Sequence, residues 1–463
     1  MRRFTLSVVA FSLAAFGLAL QAEPVDGEWP RWRGPFDNGV ARGDAPTNWG
    51  DTQNIKWKVD VPGKGLSSPV IWKDKIFMTT AVSDAPVAPA AESGGPGPGA
   101  RGKAGGKKGG AKAGRKKGGG GPGGGAGVAQ HRFLVLADDR RTGKKLWEQQ
   151  ATETTPHEGY HRQYGSFASN SPVTDGETLI TYFGSRGVYA YDLDGKPLWN
   201  KDLGDMYKRL QFGEGTAAVL HGDTVLINFD GERDDDFLVA LNKNTGEEQW
   251  RTDRVDISNW AAPLVLEHAG KKQVVVAAPT KVRSYDFETG KLIWECAGLG
   301  ANTIPAPVSD GEMVWVMSGY RDPNLLAIKL AGASGDITGT DHVVWTNERG
   351  NSYSSSPVLH DGILYFLTDR GMISAFDAKS GEPFYHQQRL PKVYSFKSSL
   401  VGANGKLYMA SEQGDVVVLK MGKEYEVLAT NTMTDEFFVA TPAFAGGEIF
   451  LRGKSTLYCI SEM

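Results

Sequence analysis

Cysteine is scarce in this chain. Cys296 and Cys459 are the two cysteines among 463 residues, and neither a Cys-Cys pair nor a Cys-x-x-Cys-His motif occurs. These absences exclude a framework of several disulfides and haem attached through that motif. The fold must therefore be stabilised by packing rather than by cross-links.

Long apolar runs are also few, and the clearest one lies at the N-terminus. Two arginines at positions 2 and 3 precede the apolar stretch 6–20, and the sequence up to Ala22 is an acceptable cleavage site. The stretch is short for a transmembrane helix and polar chain follows it closely, so the pattern predicts a secretory signal peptide over residues 1–22. No cysteine stands at the cleavage point, so we expect no lipid there and a protein exported to the periplasm or the extracellular space.

Helical periodicity is missing too, and a recurring turn takes its place. In five copies an Asp or Asn ends an alternating stretch, a Gly follows, and an aromatic residue lies four positions after the Gly. This pattern is typical of a β-hairpin whose Gly takes a positive φ and whose returning strand carries a ring toward the next unit. The turns lie at 138–143, 192–195, 242–246, 286–290 and 377–381. We expect the following side chains to dock between units: Trp57, Trp147, Trp199, Trp250, Trp294, Trp345 and Tyr385.

A second pattern, small-Pro-Val or a variant of it, marks the strand nearest the centre of each unit. Its eight copies lie at 68–70, 171–173, 216–218, 262–264, 306–308, 356–358, 399–401 and 441–443. From the second copy onward the spacing is 42–50 residues, which is room for four short strands and their turns. The sequence therefore predicts an all-β, eight-bladed β-propeller of four-stranded blades.

The ends of the chain are predicted to close the ring. The last unit stops without an outer strand that carries Trp, whereas such a strand, 55–59, stands alone near the start. We predict that this N-terminal strand completes the last blade, so that no blade keeps an unpaired edge. Residues 23–54 then form an extended lead and residues 55–463 the propeller. Cys296 and Cys459 fall in blades on opposite sides of the ring, too far apart for a disulfide.

Residues 85–130 differ in composition from the rest of the chain. They are largely Gly, Ala, Pro and Lys, with eight basic residues against Glu92. So few apolar residues cannot form a core, and we expect a disordered insert within blade one. The insert is either a solvated loop or a segment attracted to a polyanion, such as an envelope polymer or an anionic membrane. Because no aromatic residues are interleaved, specific nucleic-acid binding is not expected.

The turn pattern resembles a known repeat. Ala-x-Asp-x-x-Thr-Gly-x-x-x-Trp, nearly whole at 137–147 and 240–250, is similar to the pyrroloquinoline-quinone (PQQ) repeat, and the start of the lead, 29–35, resembles exported PQQ-like propellers of environmental bacteria. The likeness covers nearly all of 28–460 except the insert. It implies the eight-bladed fold of the quinoprotein alcohol dehydrogenase-like superfamily, with its BamB-like members, but no single activity.

The resemblance to quinoproteins also implies a candidate cofactor site. In those enzymes PQQ and Ca²⁺ lie in the central funnel, with a Glu and an Asn on the metal, an Asp as base, a Trp beneath the quinone and a Cys-Cys disulfide as cap. Asn302 stands where the base is needed, and an amide cannot take the proton of an alcohol. We therefore expect no catalytic residue, no metal and no cofactor, with PQQ and Ca²⁺ as the alternative. If no cofactor binds, the polar residues of the funnel only hold water and stabilise the ring. The weak candidates for cofactor binding there are Glu214, Asn259, Trp260, Asn302 and Lys397.

Two other polar segments suggest metal sites at first sight. His157 and His161 lie four positions apart, but the Gly and Tyr between them indicate a loop, and no third ligand is nearby; we expect a loop exposed on one face. The acidic run 234–236, near Asp230 and Glu232, is either a weak Ca²⁺ site or, more simply, a solvated turn.

Three classes of function remain. The first is a binding or assembly scaffold in the bacterial cell envelope, without PQQ; the second is a PQQ- and Ca²⁺-dependent alcohol or sugar dehydrogenase; the third is a hydrolase or lyase with its site in the funnel. We favour the first, because no acid–base constellation is visible. Its expected partner is an envelope protein or polymer, with an anionic polymer or membrane surface for the basic insert, and the chain is expected to be a monomer.

Overall fold

The structure is a computed structural model that describes residues 27–83, 129–233 and 235–462. Within these ranges 34 strands form eight sheets, and the predicted all-β, eight-bladed propeller is confirmed. No helix of the described ranges is long and apolar enough to cross a membrane. The predicted signal peptide and positions 85–128 of the predicted insert lie outside the described residues.

Within each blade the chain runs from a short central strand outward through antiparallel neighbours. Two strands precede the first blade, β1 (Val40–Ala41) and β2 (Ile55–Asp60). Blade 1 contains β3 (Val70–Trp72), β4 (Lys75–Val82), β5 (His131–Asp139) and β6 (Lys145–Thr154). Blade 2 contains β7 (Val173–Thr174), β8 (Thr178–Tyr182), β9 (Val188–Asp192) and β10 (Pro197–Lys201). Blade 3 contains β11 (Val219–His221), β12 (Thr224–Phe229), β13 (Phe237–Asn242) and β14 (Glu248–Asp253). Blade 4 contains β15 (Leu264–His268), β16 (Lys271–Val276), β17 (Val282–Asp286) and β18 (Leu292–Cys296).

The second half of the ring repeats this order, with one additional strand. Blade 5 contains β19 (Val308–Ser309), β20 (Met313–Ser318), β21 (Asn324–Lys329) and β23 (Val343–Asn347). Between β21 and β23 the chain forms β22 (Gly335–Asp336), which pairs with β18 and adds a fifth strand to the sheet of blade 4. Blade 6 contains β24 (Val358–His360), β25 (Ile363–Leu367), β26 (Met372–Asp377) and β27 (Pro383–Arg389). Blade 7 contains β28 (Val401–Ala403), β29 (Lys406–Ala410), β30 (Asp415–Lys420) and β31 (Val427–Thr432). Blade 8 contains β32 (Ala443–Ala445), β33 (Glu448–Arg452) and β34 (Thr456–Ser461). Two 3₁₀ helices, Gly184–Arg186 and Arg209–Gln211, lie in loops of blade 2 and before blade 3.

The core is divided among the gaps between blades. Every residue of β12 and of β20 is buried, because neighbouring blades cover both faces of the middle strands. The outer strand β14 instead alternates between half-buried and exposed positions. This difference explains why the middle strands are nearly continuous in apolar residues and the outer strands are not.

The ring closes through the N-terminal strand, as predicted. β2 pairs antiparallel with β34, and Trp57 lies opposite Cys459. Blade 8 thus has four strands drawn from both ends of the described chain. Cys296 and Cys459 are both free and buried.

Small hydroxyl residues tie the inner strands together. The backbone N–H of Ser68 donates to Ser171 Oγ at 2.9 Å. In the same way, the backbone N–H of Ser356 donates to Ser399 Oγ, that of Ser399 to Thr441 Oγ1 and that of Thr441 to Ser68 Oγ, each at 3.0 Å. The last of these bonds crosses the seam between blades 8 and 1. Small residues are required at these positions because the inner strands crowd together on the axis.

Five of the predicted docking side chains share one contact. The indole of each packs on the turn of the next blade and donates its N–H to a carbonyl there. The pairs are Trp57 with Arg140, Trp147 with Leu193, Trp199 with Lys243, Trp250 with Phe287 and Trp345 with Ala378. The turn glycine leaves room for the ring, since a Cβ at Gly143 would lie 2.7 Å from the Trp57 ring.

Trp294 and Tyr385 are placed differently. Trp294 is fully buried, and its Nε1 has no hydrogen-bond partner among the described residues. β22 runs parallel beside the strand that carries it, pairing Gly335 with Trp294. Tyr385 is 7% exposed and packs edge-on against Tyr425 at a centroid distance of 6.0 Å. The blade that follows each of these residues lacks the Asp/Asn–Gly turn on which the other indoles pack.

The lead crosses the centre of the ring. Residues 29–41 bond to the inner strands of five blades, and with the inner strands of blades 3, 4 and 5 they enclose a small cavity of about 30 Å³. The bonds are Trp29 with Ile71, Pro30 with Thr174, Trp32 with Thr441, Arg33 with Pro357 and Leu400, and Gly39 with Gly402. The lead therefore plugs the central channel, and this plug (residues 29–41) gives the channel a floor.

Arg33 anchors the plug. It is 4% exposed, and its two amino groups donate to the carbonyls of Leu400 and Pro357 in neighbouring blades. Burial lowers its pKa to about 10, with Asp37 opposing this shift. A Cβ at Gly39 would lie 2.3 Å from the guanidinium, so this position admits only Gly. The guanidinium thus holds blades 6 and 7 to the lead at the cost of desolvating a charge.

Candidate funnel site

A cavity of about 340 Å³ lies on the axis above the plug. Its walls are formed by the loops that join the outer strand of one blade to the inner strand of the next, and its floor by Trp32. We call this cavity the funnel. A volume in this range suits a small ligand or a few residues of a larger one. Among the lining side chains are Trp32, Leu66, His161, Tyr164, Phe212, Glu214, Trp260, Tyr353 and Lys397.

Aromatic rings cover much of the wall. His161 and Tyr164 stack at a centroid distance of 4.5 Å, and Phe212 meets His161 edge-on at 5.5 Å. Lys397 Nζ lies 4.6 Å from the centre of the Tyr164 ring and 5.7 Å from that of Tyr353. Such platforms bind planar or ring-shaped groups through stacking.

Trp260 has a fixed orientation. Its Nε1 donates to Gly213 O at 2.8 Å, and Lys208 Nζ lies 5.3 Å from the ring centre. Lys208 is itself buried and donates to the carbonyls of Asp230 and Asn259. Burial lowers the pKa of Lys208, against the raising effect of the acids around it. No motif in the sequence marks this lysine, which lies beside the Trp260 ring.

The two residues that the quinoprotein alternative would place on Ca²⁺, Glu214 and Asn259, are not assembled as a pair. Both carboxylate oxygens of Glu214 accept hydrogen bonds from Ser185, from its N–H at 2.5 Å and its Oγ at 2.6 Å. The Asn259 amide donates to Asp230 and accepts from Ala261 N, so its polar atoms are used outside the funnel. This donor set does not fit the Glu–Asn arrangement that the quinoprotein resemblance implies.

The other two candidates differ from each other. Asn302 has a left-handed φ of 57°; its amide donates weakly to Tyr353 Oη at 3.4 Å, and its Oδ1 has no partner among the described residues. Lys397 lines the funnel and forms an ion pair with Asp369. Its charge is therefore neutralised at the wall.

The expectation that the segment around His157 is an exposed loop with no third ligand nearby is wrong. Glu158 is 6% exposed, and Glu214 from the following inter-blade loop reaches it. Ligand atoms of His157, Glu158 and Glu214 all lie within 4.8 Å of one another, whereas His161 faces the funnel. The only signal in the sequence was that both loops precede an inner strand.

The acidic run is likewise not a solvated turn throughout. Asp230 is fully buried and receives both Nε and Nη2 of Arg254, at 2.8 and 3.0 Å. Asp236 is 3% exposed and accepts from Gly231 N, and burial raises its pKa to about 7. Asp234 lies outside the described residues. Asp230 thus forms a buried ion pair with Arg254, while Asp236 accepts hydrogen bonds from the backbone N–H groups of Gly231 and Asp256.

Comparison with known proteins supports this architecture. Residues 131–387, more than half of the chain, match the family model described as outer membrane protein assembly factor BamB. A relative with that name from Yersinia pestis is 22% identical over 299 residues, which are 63% of this chain and 60% of the relative. The match thus spans less than two thirds of the relative's length.

Solved structures show the same fold. BamB from Moraxella catarrhalis aligns with a TM-score of 0.51 at 12% identity, over 71% of this chain and 93% of that one. Quinohemoprotein alcohol dehydrogenase from Comamonas testosteroni aligns with a TM-score of 0.57 at 12% identity, over 94% and 80%. At such identities the likeness concerns the fold and not the activity. Because the family model covers more than half of the sequence, the chain belongs to the BamB family of PQQ-repeat β-propellers.

Proposed function

We propose that this protein is a binding or assembly scaffold of the bacterial cell envelope that works without bound PQQ and receives its partner at the funnel. The observation that carries the proposal is that charged side chains in the funnel wall already have partners within the protein. Lys397 is paired with Asp369, and Glu214 is bonded to Ser185. What the wall presents to a partner is aromatic rings and hydroxyl groups, which suit recognition better than proton transfer.

The alternatives need groups that the described lining does not supply in a working arrangement. A hydrolase needs a nucleophile beside a base, but His161 Nδ1 accepts from Tyr164 N and the Ser166 hydroxyl bonds to Ser169. A dehydrogenase needs a base near the quinone, and the residue that the sequence offers for this role, Asn302, is a buried amide. Scaffold work therefore remains the simplest function for this funnel.

Export and partners belong to the same proposal. The N-terminal 22 residues have the pattern of a secretory signal, and the relatives are named as outer membrane protein assembly factors. We propose a periplasmic or extracellular monomer that contacts an envelope protein or polymer, with the basic insert adding attraction to anionic surfaces.

A photo-crosslinking residue at position 353, in the funnel, tests the binding face in whole cells. The matched control carries it at Leu428 on the outer strand β31, which is 38% exposed. We expect a discrete adduct from position 353 that disappears when Tyr164→Ala is added, and none from position 428. Equal adducts from both positions, or an adduct insensitive to Tyr164→Ala, would contradict the funnel as the binding face.

Titration of the purified protein with PQQ and Ca²⁺ tests the cofactor. We expect no stoichiometric uptake and no dye reduction with alcohols or aldoses. Saturable, Ca²⁺-dependent uptake that Glu214→Gln abolishes would move the protein to the oxidoreductases.

A further inference from the structure

We propose that His157, Glu158 and Glu214 form a binding site for one divalent transition-metal ion in the wall of the funnel. One ligand atom from each residue lies within 4.8 Å of the other two. His157 and Glu158 come from the loop between blades 1 and 2, and Glu214 from the loop between blades 2 and 3. The site goes beyond the scaffold function and does not depend on it.

Both carboxylates are held in place and keep lone pairs free. The oxygens of Glu158 accept from the backbone N–H of Lys208, at 3.0 and 3.3 Å. Each oxygen of Glu214 accepts one bond from Ser185. Since a carboxylate oxygen has two lone pairs, every one of these oxygens retains capacity for a metal.

The imidazole is oriented as metal-binding histidines are. His157 Nε2 lies 2.9 Å from Met206 O, so the proton is on Nε2 and Nδ1 carries the lone pair. Met206 N also donates to Ser185 Oγ, and the same hydroxyl bonds Glu214. One backbone residue thus positions two of the three ligands.

In this structure the guanidinium of Arg186 donates a hydrogen bond to the Nδ1 lone pair of His157. Arg186 Nη2 lies 2.7 Å from His157 Nδ1 and 2.7 Å from Asp205 Oδ1. Asp205 is half exposed at the surface, and it would keep Arg186 paired after a metal displaced it from the imidazole. Arg186 is therefore a cationic placeholder with a second partner.

Two independent features point to a ligand at this place. A separate cavity of about 20 Å³, the size of a single water or ion, is lined by all three residues together with Ser166 and Asn170. The Tyr182 hydroxyl, 1% exposed, has no hydrogen-bond partner among the described residues, and burial, with a smaller contribution from the charge of Glu214, raises its pKa. This buried hydroxyl is close enough to the Glu214 carboxylate to interact with its charge.

The donor set selects the kind of metal. One imidazole nitrogen with two carboxylates suits Zn²⁺ and its transition-metal neighbours, whereas Ca²⁺ and Mg²⁺ prefer oxygen ligands alone. Two carboxylates this close, Glu158 buried and Glu214 half-buried, also repel each other when ionised, and a divalent cation removes that repulsion. Gly184 permits the arrangement, because a Cβ there would lie 1.4 Å from Glu214 Oε2.

The test uses the full chain, freed of metal with a chelator and titrated with ZnCl₂ by calorimetry, while CoCl₂ reports nitrogen ligation by its visible spectrum. We expect one equivalent bound, with affinity reduced about ten-fold or more in His157→Gln and in Glu214→Gln. His161→Gln, the matched control four positions along the same loop, should bind like the wild type. Folding of each variant is checked by circular dichroism.

Less than a tenth of an equivalent of Zn²⁺ in the wild type would overturn the proposal, as would equal binding by the wild type and by folded His157→Gln. Arg186→Gln provides a second check, because removal of the placeholder should leave Zn²⁺ binding as tight or tighter. A large loss of affinity in Arg186→Gln would contradict the displacement of Arg186 by the metal. None of these outcomes depends on a partner at the funnel, so the two proposals fail separately.

Discussion

The indole nitrogen of Trp57 donates a hydrogen bond of 3.0 Å to the carbonyl of Arg140, 83 positions later in the chain. Trp57 belongs to blade 8 and Arg140 to the turn of blade 1, so the bond crosses the seam where the ring closes. The Arg140 side chain adds to the same junction, since its Nε bonds Glu448 of blade 8 at 2.8 Å. The seam is therefore joined by the same contact that joins four other pairs of blades.

Trp57→Ala should destabilise the ring at this seam. Truncation of a partly buried indole removes packing and a hydrogen bond, and we expect a loss of about 2–3 kcal/mol in the free energy of unfolding. Urea denaturation measures it. Leu146→Ala, an exposed position on an outer strand, is the control and should change it by no more than about 0.5 kcal/mol. An effect of Trp57→Ala as small as that of the control would mean that the seam does not rely on this side chain.

The turn glycine beneath Trp57 can be separated from the general cost of a positive φ. Gly143 and Gly405 have φ values of 69° and 72°, but a Cβ meets the Trp57 ring only at Gly143 and open space at Gly405. We expect Gly405→Ala to cost about 1 kcal/mol from backbone strain and Gly143→Ala at least about 1 kcal/mol more. Melting curves of the two variants would contradict the packing argument if they coincided.

Arg33→Lys tests the plug. An ammonium group cannot reach the carbonyls of Leu400 and Pro357 in the planar fork of a guanidinium, so we expect a loss of about 2–4 kcal/mol in unfolding free energy. Arg31→Lys is the matched control, because Arg31 pairs with Asp37 at the partly exposed edge, and should cost about 0–1 kcal/mol. Comparable losses in both variants would show that no special role belongs to Arg33.

Two adjacent aspartates, Asp138 and Asp139, should make the stability of the protein depend on pH in opposite directions. Burial raises the pKa of Asp138 to about 6 from 3.8, so its stabilising contribution is complete below 3.8 and is lost as pH rises through about 6. Bonds to Thr142 are the main cause that lowers the pKa of Asp139, so its contribution is present above 3.8 and is lost as pH falls below it. The stability of Asp138→Asn relative to the wild type should therefore increase between pH 4 and 6. The relative stability of Asp139→Asn should increase only below about pH 4. Urea denaturation at a series of pH values measures both differences, and the two pKa shifts would be refuted if neither difference changed with pH.

Much of the propeller follows from local chemistry that recurs in the sequence. The hairpin turn at Gly143 requires a positive φ, and the inner-strand position of Ser171 requires a small side chain. Both requirements recur around the ring. A repeat of this kind also reveals the missing outer strand, which is why Trp57 could be assigned to the last blade before its partner strand was known. Glu214, Trp260 and Lys397 could be placed at the funnel for the same reason, because they stand just before an inner strand.

The sequence by itself thus determined the number of blades, their turns and the way the ring closes, since the blades and turns recur as a local pattern and the one missing outer strand is found at the other end of that repeat. Only the tertiary structure decided which loops meet: Asn259 turns toward Asp230, Glu214 toward His157, and the lead runs across the axis to bury Arg33. The physical reason is that hydrophobic and turn periodicity report which face of a strand is covered. They carry no information about which polar side chain from another blade satisfies a buried charge once the ring has closed.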